Sequence, residues 1–443
     1  MNIPEEIRIQ AELKETMKEM KGSAGRWSYM MADSLAGKGE PSTEFLAEML
    51  LNVKHELPEL VSAVMERTCN LQCSHCLYQK EDSSAHLSKS SHLMEKITHI
   101  VSQMPERSKE KGKEYNPQFM SAGRILRPEH LELFATLRQL RPDVKLGVID
   151  NGTFVARLPK WPADFQFDWM DISIDGLEES HNVQRQSPKA FAQAIEGLKH
   201  ARAVTKSPEA GGRISSLLTL TNINAHEISA TANVLLTPDA DGVSLVDEFR
   251  LTTVSPVNDI VGALEANADD FRVAWEQIKE VSHQYNTDDV QRVLLSIYRI
   301  EDMEKLAAAV GEKKFLEAFH LVEDQLSLLG VARNFVHLKF DGVEVRFLPL
   351  SIWTPEEFLI EADGVVRTAY EGQFTLEELR AGVAKDGRDT TPYTLEALTT
   401  ETNFREAFER SVDKYWLNFG KQRLKQEMEV FARIQAKANQ SQV

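Results

Sequence analysis

The chain has 443 residues, 42% hydrophobic and 27% charged, an ordinary balance for a globular protein with room for more than one domain. A formal charge of −17 at pH 7 excludes unaided binding to nucleic acid, where lysine and arginine must neutralise phosphates. No apolar run reaches the roughly 18–20 residues needed to cross a bilayer. Residues 1–8 also lack the basic-then-apolar order of a signal peptide, so a cytoplasmic protein without a membrane partner is expected.

Residues 1–58 read as a helical extension: Ile9, Leu13, Met17 and Met20 recur at helical spacing, and residues 43–51 form a second amphipathic stretch after Pro41-Ser42. Leu60-Val61-Ser62-Ala63-Val64-Met65-Glu66 is a short apolar run, a first strand. It leads into Cys69-Asn70-Leu71-Gln72-Cys73-Ser74-His75-Cys76, which holds all 3 cysteines of the chain. From there the pattern alternates. Helices are expected over 93–104, 130–140, 190–202 and 226–236, and strands over 118–122, 144–149, 170–174, 214–220 and 243–252. Six strands separated by helices imply parallel pairing through right-handed crossovers. The ligand site of such a barrel lies at the carboxyl ends of its strands, where the cysteine loop falls.

Three thiolates on one loop can hold three corners of a four-iron cluster, because soft thiolate is the ligand such clusters take. An iron without a protein ligand can then chelate a small molecule. A disulfide framework does not suit an odd number of cysteines. A zinc site could recruit His75 or His86, but structural zinc usually draws on two separated ligand pairs.

The C-x3-C-x2-C loop resembles that of the radical S-adenosylmethionine (radical SAM) superfamily, and the resemblance covers about residues 60–256. It implies a [4Fe-4S] cluster on Cys69, Cys73 and Cys76, SAM on the open iron, and a partial (β/α)6 TIM-like barrel. It implies further that His75 lies beside the adenine. Ser121-Ala122-Gly123-Arg124 stands where relatives carry Gly-Gly-Glu-Pro, so the Ala122 and Gly123 carbonyls would take the SAM amino group, while Arg124 replaces the acid. Asp150-Asn151-Gly152-Thr153 is similar to a Thr-Asn-Gly-Thr of relatives, though Asn-Gly is also a plain turn signal. Ser173-Ile174-Asp175-Gly176, with His181 and Arg185, resembles the peptide- and sulfatase-maturing branch, where the serine and arginine reach the SAM ribose and carboxylate. Asn224 resembles an asparagine after the fifth strand, or is a helix N-cap; Arg250 lines the cavity or faces solvent.

Beyond 256, residues 257–330 are expected to be helical, over 271–278, 293–298 and 315–329. Asp341-Gly342 and Asp363-Gly364 each sit between alternating apolar runs and predict hairpins. Residues 331–443 then form a C-terminal α+β cap ending in a charged helix over 404–438, which serves packing or an oligomer contact. The second hairpin and residues 374–379 resemble the SPASM/twitch extension of that branch, but Thr368 stands in place of a cysteine and no auxiliary cluster can be held. The expected function is therefore single-cluster radical chemistry on a small metabolite of sugar, aminosugar or nucleoside type, fed by a flavodoxin- or ferredoxin-type donor. Peptide modification and a non-catalytic iron–sulfur or zinc protein are the alternatives. No cysteine is spare to quench a product radical, which favours dehydrogenation, elimination or rearrangement unless Tyr298 donates the hydrogen.

Overall fold

A computed structural model of the chain describes residues 60–65, 69–76, 91–106, 108–110, 113–124, 126, 128–157, 165–254, 259–287, 290–319, 336–347, 357–360, 365–367, 393–394 and 421–440. The extension over 1–58, His86, the end of the helix over 315–329, Thr368 and residues 374–379 and 404–420 lie outside the described residues.

Strands and helices alternate as β1 (Leu60–Ala63), α1 (Ser91–Gln103), β2 (Gln118–Arg124), α2 (Pro128–Leu140), β3 (Lys145–Asp150), β4 (Trp169–Ser173), α3 (Glu178–Arg185), α4 (Ala190–Val204), β5 (Arg213–Leu220), α5 (Ile228–Leu236), β6 (Glu248–Thr253), α6 (Ala268–Tyr285) and β7 (Val293–Ile297). Then come α7 (Ile300–Val310), α8 (Glu312–Phe319), β8 (Val336–Phe340), β9 (Val343–Phe347), β10 (Glu357–Ile360), β11 (Val365–Arg367), β12 (Tyr393–Thr394) and α9 (Lys421–Gln440). One sheet takes them in the order β8-β9-β7-β6-β5-β4-β3-β2-β1-β10-β11-β12. The pairs from β9 through to β10 are all parallel, while β8 and β11 add antiparallel edges. This is the expected α/β architecture, a parallel sheet wound with helices.

Alternation along the strands sorts the two faces. Ile172, Leu218, Leu251, Leu295 and Val345 join one core with the helix residues Ala194, Leu198, Ala232, Trp275 and Ile278. Burying each large side chain is worth about 1.5–3 kcal/mol relative to exposure. The intervening positions Asp171, Ser173, Thr219, Arg250, Thr252, Ser296 and Arg346 share the other face, and they are polar. α6 shows why a helix starts where it does: Asn267 accepts from the Asp269 and Asp270 amides, and Asp270 accepts back from the Asn267 amide, a capping box. Phe271, Ala274, Trp275, Ile278 and Val281 then recur at helical spacing and are buried.

One expectation is corrected. Residues 293–298 are not helical; Val293–Ile297 is β7, a fully buried strand held between β6 and β9. The hairpin at Asp341-Gly342 forms as expected, with φ of 51° and 81°, the two left-handed residues of a type I′ turn. It extends the sheet beyond β7, whereas β10 pairs with β1 at the opposite flank. The C-terminal helix α9 packs on the chain itself: Phe431 meets Phe315 at 6.0 Å between ring centroids, and Arg433 and Lys437 pair with Glu304.

Candidate active site

The cysteine loop leaves β1 at its carboxyl end and is tied down from two neighbouring strand ends. From β3, the Asn151 amide donates to Cys69 Sγ (3.5 Å) and to Asn70 Oδ1 (3.1 Å). Asn70 in turn donates to Thr153 Oγ1, and Thr153 donates through both its amide and its hydroxyl to Asn151 Oδ1. The turn needs Gly152, at φ +77°, where a Cβ would lie 2.7 Å from Ile172. Asp150 braces the same corner, accepting from the amides of Leu126 and Gly152. Burial pushes its carboxyl up to about 6, against the pull of those two donors.

From the β4 end, Gln184 of α3 takes the Ser74 amide on its carbonyl (2.9 Å), and the Ser74 hydroxyl reaches the same oxygen. Arg185 Nη1 lies 3.8 Å from Cys73 Sγ, and its Nε donates to Asp175 Oδ2 at 2.5 Å. Asp175 is the hub. It has no exposure, accepts from the Thr219 amide, and faces His75 Nε2 at 3.4 Å. Burial alone would raise its carboxyl, but Arg185, with His75, His181 and the Thr219 amide, outweighs that and holds it well below the usual carboxylate range. His181 accepts the Asp175 amide on Nδ1, and burial followed by Arg185 pushes its imidazole down to about 3. Burial also lowers His75, against the attraction of Asp175.

Of the residues singled out from sequence, the structure brings Cys69, Cys73, His75, Cys76, Ser173 and Arg185 to one end of the sheet. Ala122 and Gly123 fall where β2 and β3 slip register, between Ser121 and Arg124, a bulge of the kind that interrupts ladder pairing next to sites. Ser173 is half-buried and its hydroxyl has no partner among the described residues. Asn224 is neither exposed nor a helix cap: its amide donates to the carbonyls of Asp175 and Thr219, and its oxygen accepts from Thr221. It fastens the β4 end to the β5 end. Arg250 turns onto Asp171 (3.1 Å) on the inner face and is half-buried.

Sequence reasoning assigned no role to Asp175 or Gln184, and of the inner-face ionic grid it named only Arg250, as lining the cavity or facing solvent. In that grid Arg213 bridges Asp171 (3.4 Å) and Glu248 (2.9 Å), and Arg250 takes the second oxygen of Asp171. The available signal was a charge inside an apolar strand, as in Met170-Asp171-Ile172.

The loop suits a multi-iron cluster by the chemistry of its donors. Cys69 is exposed and Cys73 and Cys76 are half-buried, none of them in a disulfide among the described residues. Burial lifts Cys73 to about 11, while Arg185 opposes it; a bound metal would keep such a thiol as thiolate. N–H groups of Leu71 and Asn151 on Cys69, and of Arg185 on Cys73, stabilise sulfur that carries negative charge. Among the described residues no three His, Cys, Asp or Glu side chains converge as a single ion requires.

No family model matches the chain, and no curated protein matches it. Among solved structures it is similar to Streptococcus suis SuiB bound to S-adenosylmethionine, at 11% identity over 85% of this chain and 76% of that one, with a TM-score of 0.44. Native anSMEcpe with bound AdoMet matches at 13% identity over 86% and 99%, TM-score 0.43. SuiB bound to precursor peptide SuiA matches at 10% identity over 83% and 71%, TM-score 0.42. At this level the likeness is one of chain path and carries no residue roles to this protein. No helix among the described residues is long and apolar enough to cross a membrane.

Proposed function

We propose that this chain is a radical SAM enzyme acting on a small metabolite. One observation supports the reading above the others: three thiols at the carboxyl end of β1, with N–H donors on two of the sulfurs. Cys69, Cys73 and Cys76 would hold the cluster; when bound and reduced, it supplies an electron that cleaves SAM to methionine and a 5′-deoxyadenosyl radical.

The residues of the chain orient and exclude. His75 presents a planar ring between two of the cysteines, positioned by Asp175, and would contact the adenine. The bulged backbone at Ala122 and Gly123 offers carbonyl acceptors to the SAM amino group, and the unpartnered hydroxyl of Ser173 suits a ribose oxygen. Arg185 keeps its guanidinium charged through Asp175, directs a donor at Cys73 and would hold the SAM carboxylate. Asn224 acts indirectly, by holding Asp175 and Thr219 in register. A flavodoxin- or ferredoxin-type protein in the cytoplasm would provide the electron. Loss of hydrogen from the substrate then leads to dehydrogenation, elimination or rearrangement.

The test is anaerobic reconstitution with iron and sulfide, followed by assay of 5′-deoxyadenosine with dithionite, SAM and host-cell extract split into small-metabolite and peptide fractions. Stimulation by the small fraction is expected, and stimulation by the peptide fraction alone would move the substrate to a ribosomally made peptide. Absence of 5′-deoxyadenosine at full iron loading, with SAM bound equally well by Cys→Ala variants, would end the catalytic reading.

A further inference from the structure

Strand register sets out the inner face in rows. Ser173, Leu217, Arg250, Leu294 and Glu344 lie side by side on β4, β5, β6, β7 and β9, and Thr219, Thr252, Ser296 and Arg346 form the next row toward the carboxyl ends. Ser173, Leu217, Thr219, Arg250 and Thr252 are only half-buried, although Ile172, Leu218 and Leu251 on the opposite face are sealed. These central strands thus reach solvent from the inner face alone, the face that carries Arg250.

The acids Asp171, Glu248 and Glu344 equal Arg213, Arg250 and Arg346 in number, but their pairing leaves guanidinium donors over. Asp171 spends one oxygen on Arg213 and the other on Arg250. Glu344 takes Arg346 Nε (2.9 Å) and His337 Nδ1 (3.1 Å) on a single oxygen. Arg250 retains Nε, fully buried without a partner, and Nη2; Arg346 retains both terminal nitrogens, with no partner among the described residues. The hydroxyls of Thr252 and Ser296, between the two arginines in the grid, are likewise unclaimed among the described residues. Of these nitrogens only Arg250 Nε is both sealed and without a partner among the described residues, a costly state for a polar group; the terminal nitrogens are not sealed and can meet a ligand. The missing complement is a compact group of several acceptors, and a guanidinium fork matches the geometry of an oxyanion.

We propose that Arg250 and Arg346 form a subsite for an anionic group of the substrate, a carboxylate or a phosphate monoester, with Thr252 and Ser296 as supporting donors. This deepens the reading of the chain as a radical SAM enzyme and rests on it for the identity of the ligand as substrate. It narrows the expected metabolite to one bearing a negative group on the part held away from the cysteine loop. The ionic grid around Asp171 holds Arg250 by Nη1 and leaves Nη2 for a ligand.

The experiment uses reconstituted protein with saturating SAM, which occupies any carboxylate site near Arg185. Inorganic phosphate, succinate and uncharged sorbitol are titrated at constant ionic strength, with thermal unfolding and calorimetry as readouts. Saturable binding of phosphate or succinate is expected, and the tighter of the two identifies the group. Arg346→Gln and Arg250→Gln should each weaken it by about ten- to a hundredfold, with partial recovery in Arg346→Lys. If Arg250→Gln fails to fold by circular dichroism, Arg346→Gln decides alone. Absence of saturable anion binding, an equal response to sorbitol, or unchanged affinity in Arg346→Gln overturns the subsite. None of these readouts needs turnover: loss of anion binding with SAM binding intact removes the subsite and leaves the proposed function, whereas anion binding that persists in Cys69→Ala upholds the subsite even if radical chemistry is absent.

Discussion

Replacing Asp175 with alanine strands the Arg185 guanidinium inside the protein. The pair stands at 2.5 Å, with Asp175 unexposed and Arg185 nearly so. Removing one partner of a buried ion pair costs about 3–5 kcal/mol, chiefly because the other charge stays desolvated. The Thr219 amide also loses its acceptor, but its share is contained in that range because the two effects are not additive. Asp175→Asn keeps an oxygen for Thr219 and loses only the charge, so about 1.5–3 kcal/mol is expected. The double variant Asp175→Ala/Arg185→Met removes the stranded charge and should be more stable than Asp175→Ala. Urea unfolding of apo protein under anaerobic conditions, followed by tryptophan fluorescence, measures all three. The sign with pH is set by a depressed carboxyl: its contribution is present above the unfolded value near 4 and is lost as pH falls through the folded one. The gap between wild type and Asp175→Ala should therefore hold from pH 7 to 5 and close in acid. A loss under about 1 kcal/mol, or a double variant no more stable than the single, would refute a buried, charge-coupled hub.

Gly197→Ala puts a Cβ 2.3 Å from the Gly152 carbonyl oxygen, so α4 must move off the turn that supports Cys69; about 1–3 kcal/mol of stability is expected to go, together with iron bound per chain. Asp150 behaves oppositely to Asp175: with its carboxyl raised to about 6, its share of stability is full below about pH 4 and is lost as pH rises through 6. Wild type should gain about 1 kcal/mol over Asp150→Asn between pH 7 and pH 5, read from urea midpoints, and a flat difference would contradict it. Asn267→Ala removes the capping box of α6 and should cost about 1 kcal/mol in the same assay.

Much of the barrel was legible because its signals are local. Six apolar runs separated by helical spacing became β1 to β6 within a few residues of their expected limits, and the Asp341-Gly342 turn formed as its residue types require. Val293-Leu294-Leu295-Ser296-Ile297 was misread as helix because a short apolar run has no decisive period, and its neighbourhood in sequence is helical. Only the parallel pairing to β6 and to β9, some 50 residues further on, made it a strand.

The amino-acid order by itself determined the α/β class, the cysteine loop and its place after the first strand, since spacing and periodicity travel with the chain. Tertiary structure alone decided which charges meet. Asp175 became the partner of Arg185 and His75, Asn224 a fastener between strand ends, and Arg250 an inner-face residue beside Asp171. These roles depend on strand register and on burial, which turn an exposed, screened charge into one that must find a partner. Neither quantity is carried by any one segment; both arise when distant segments share a sheet.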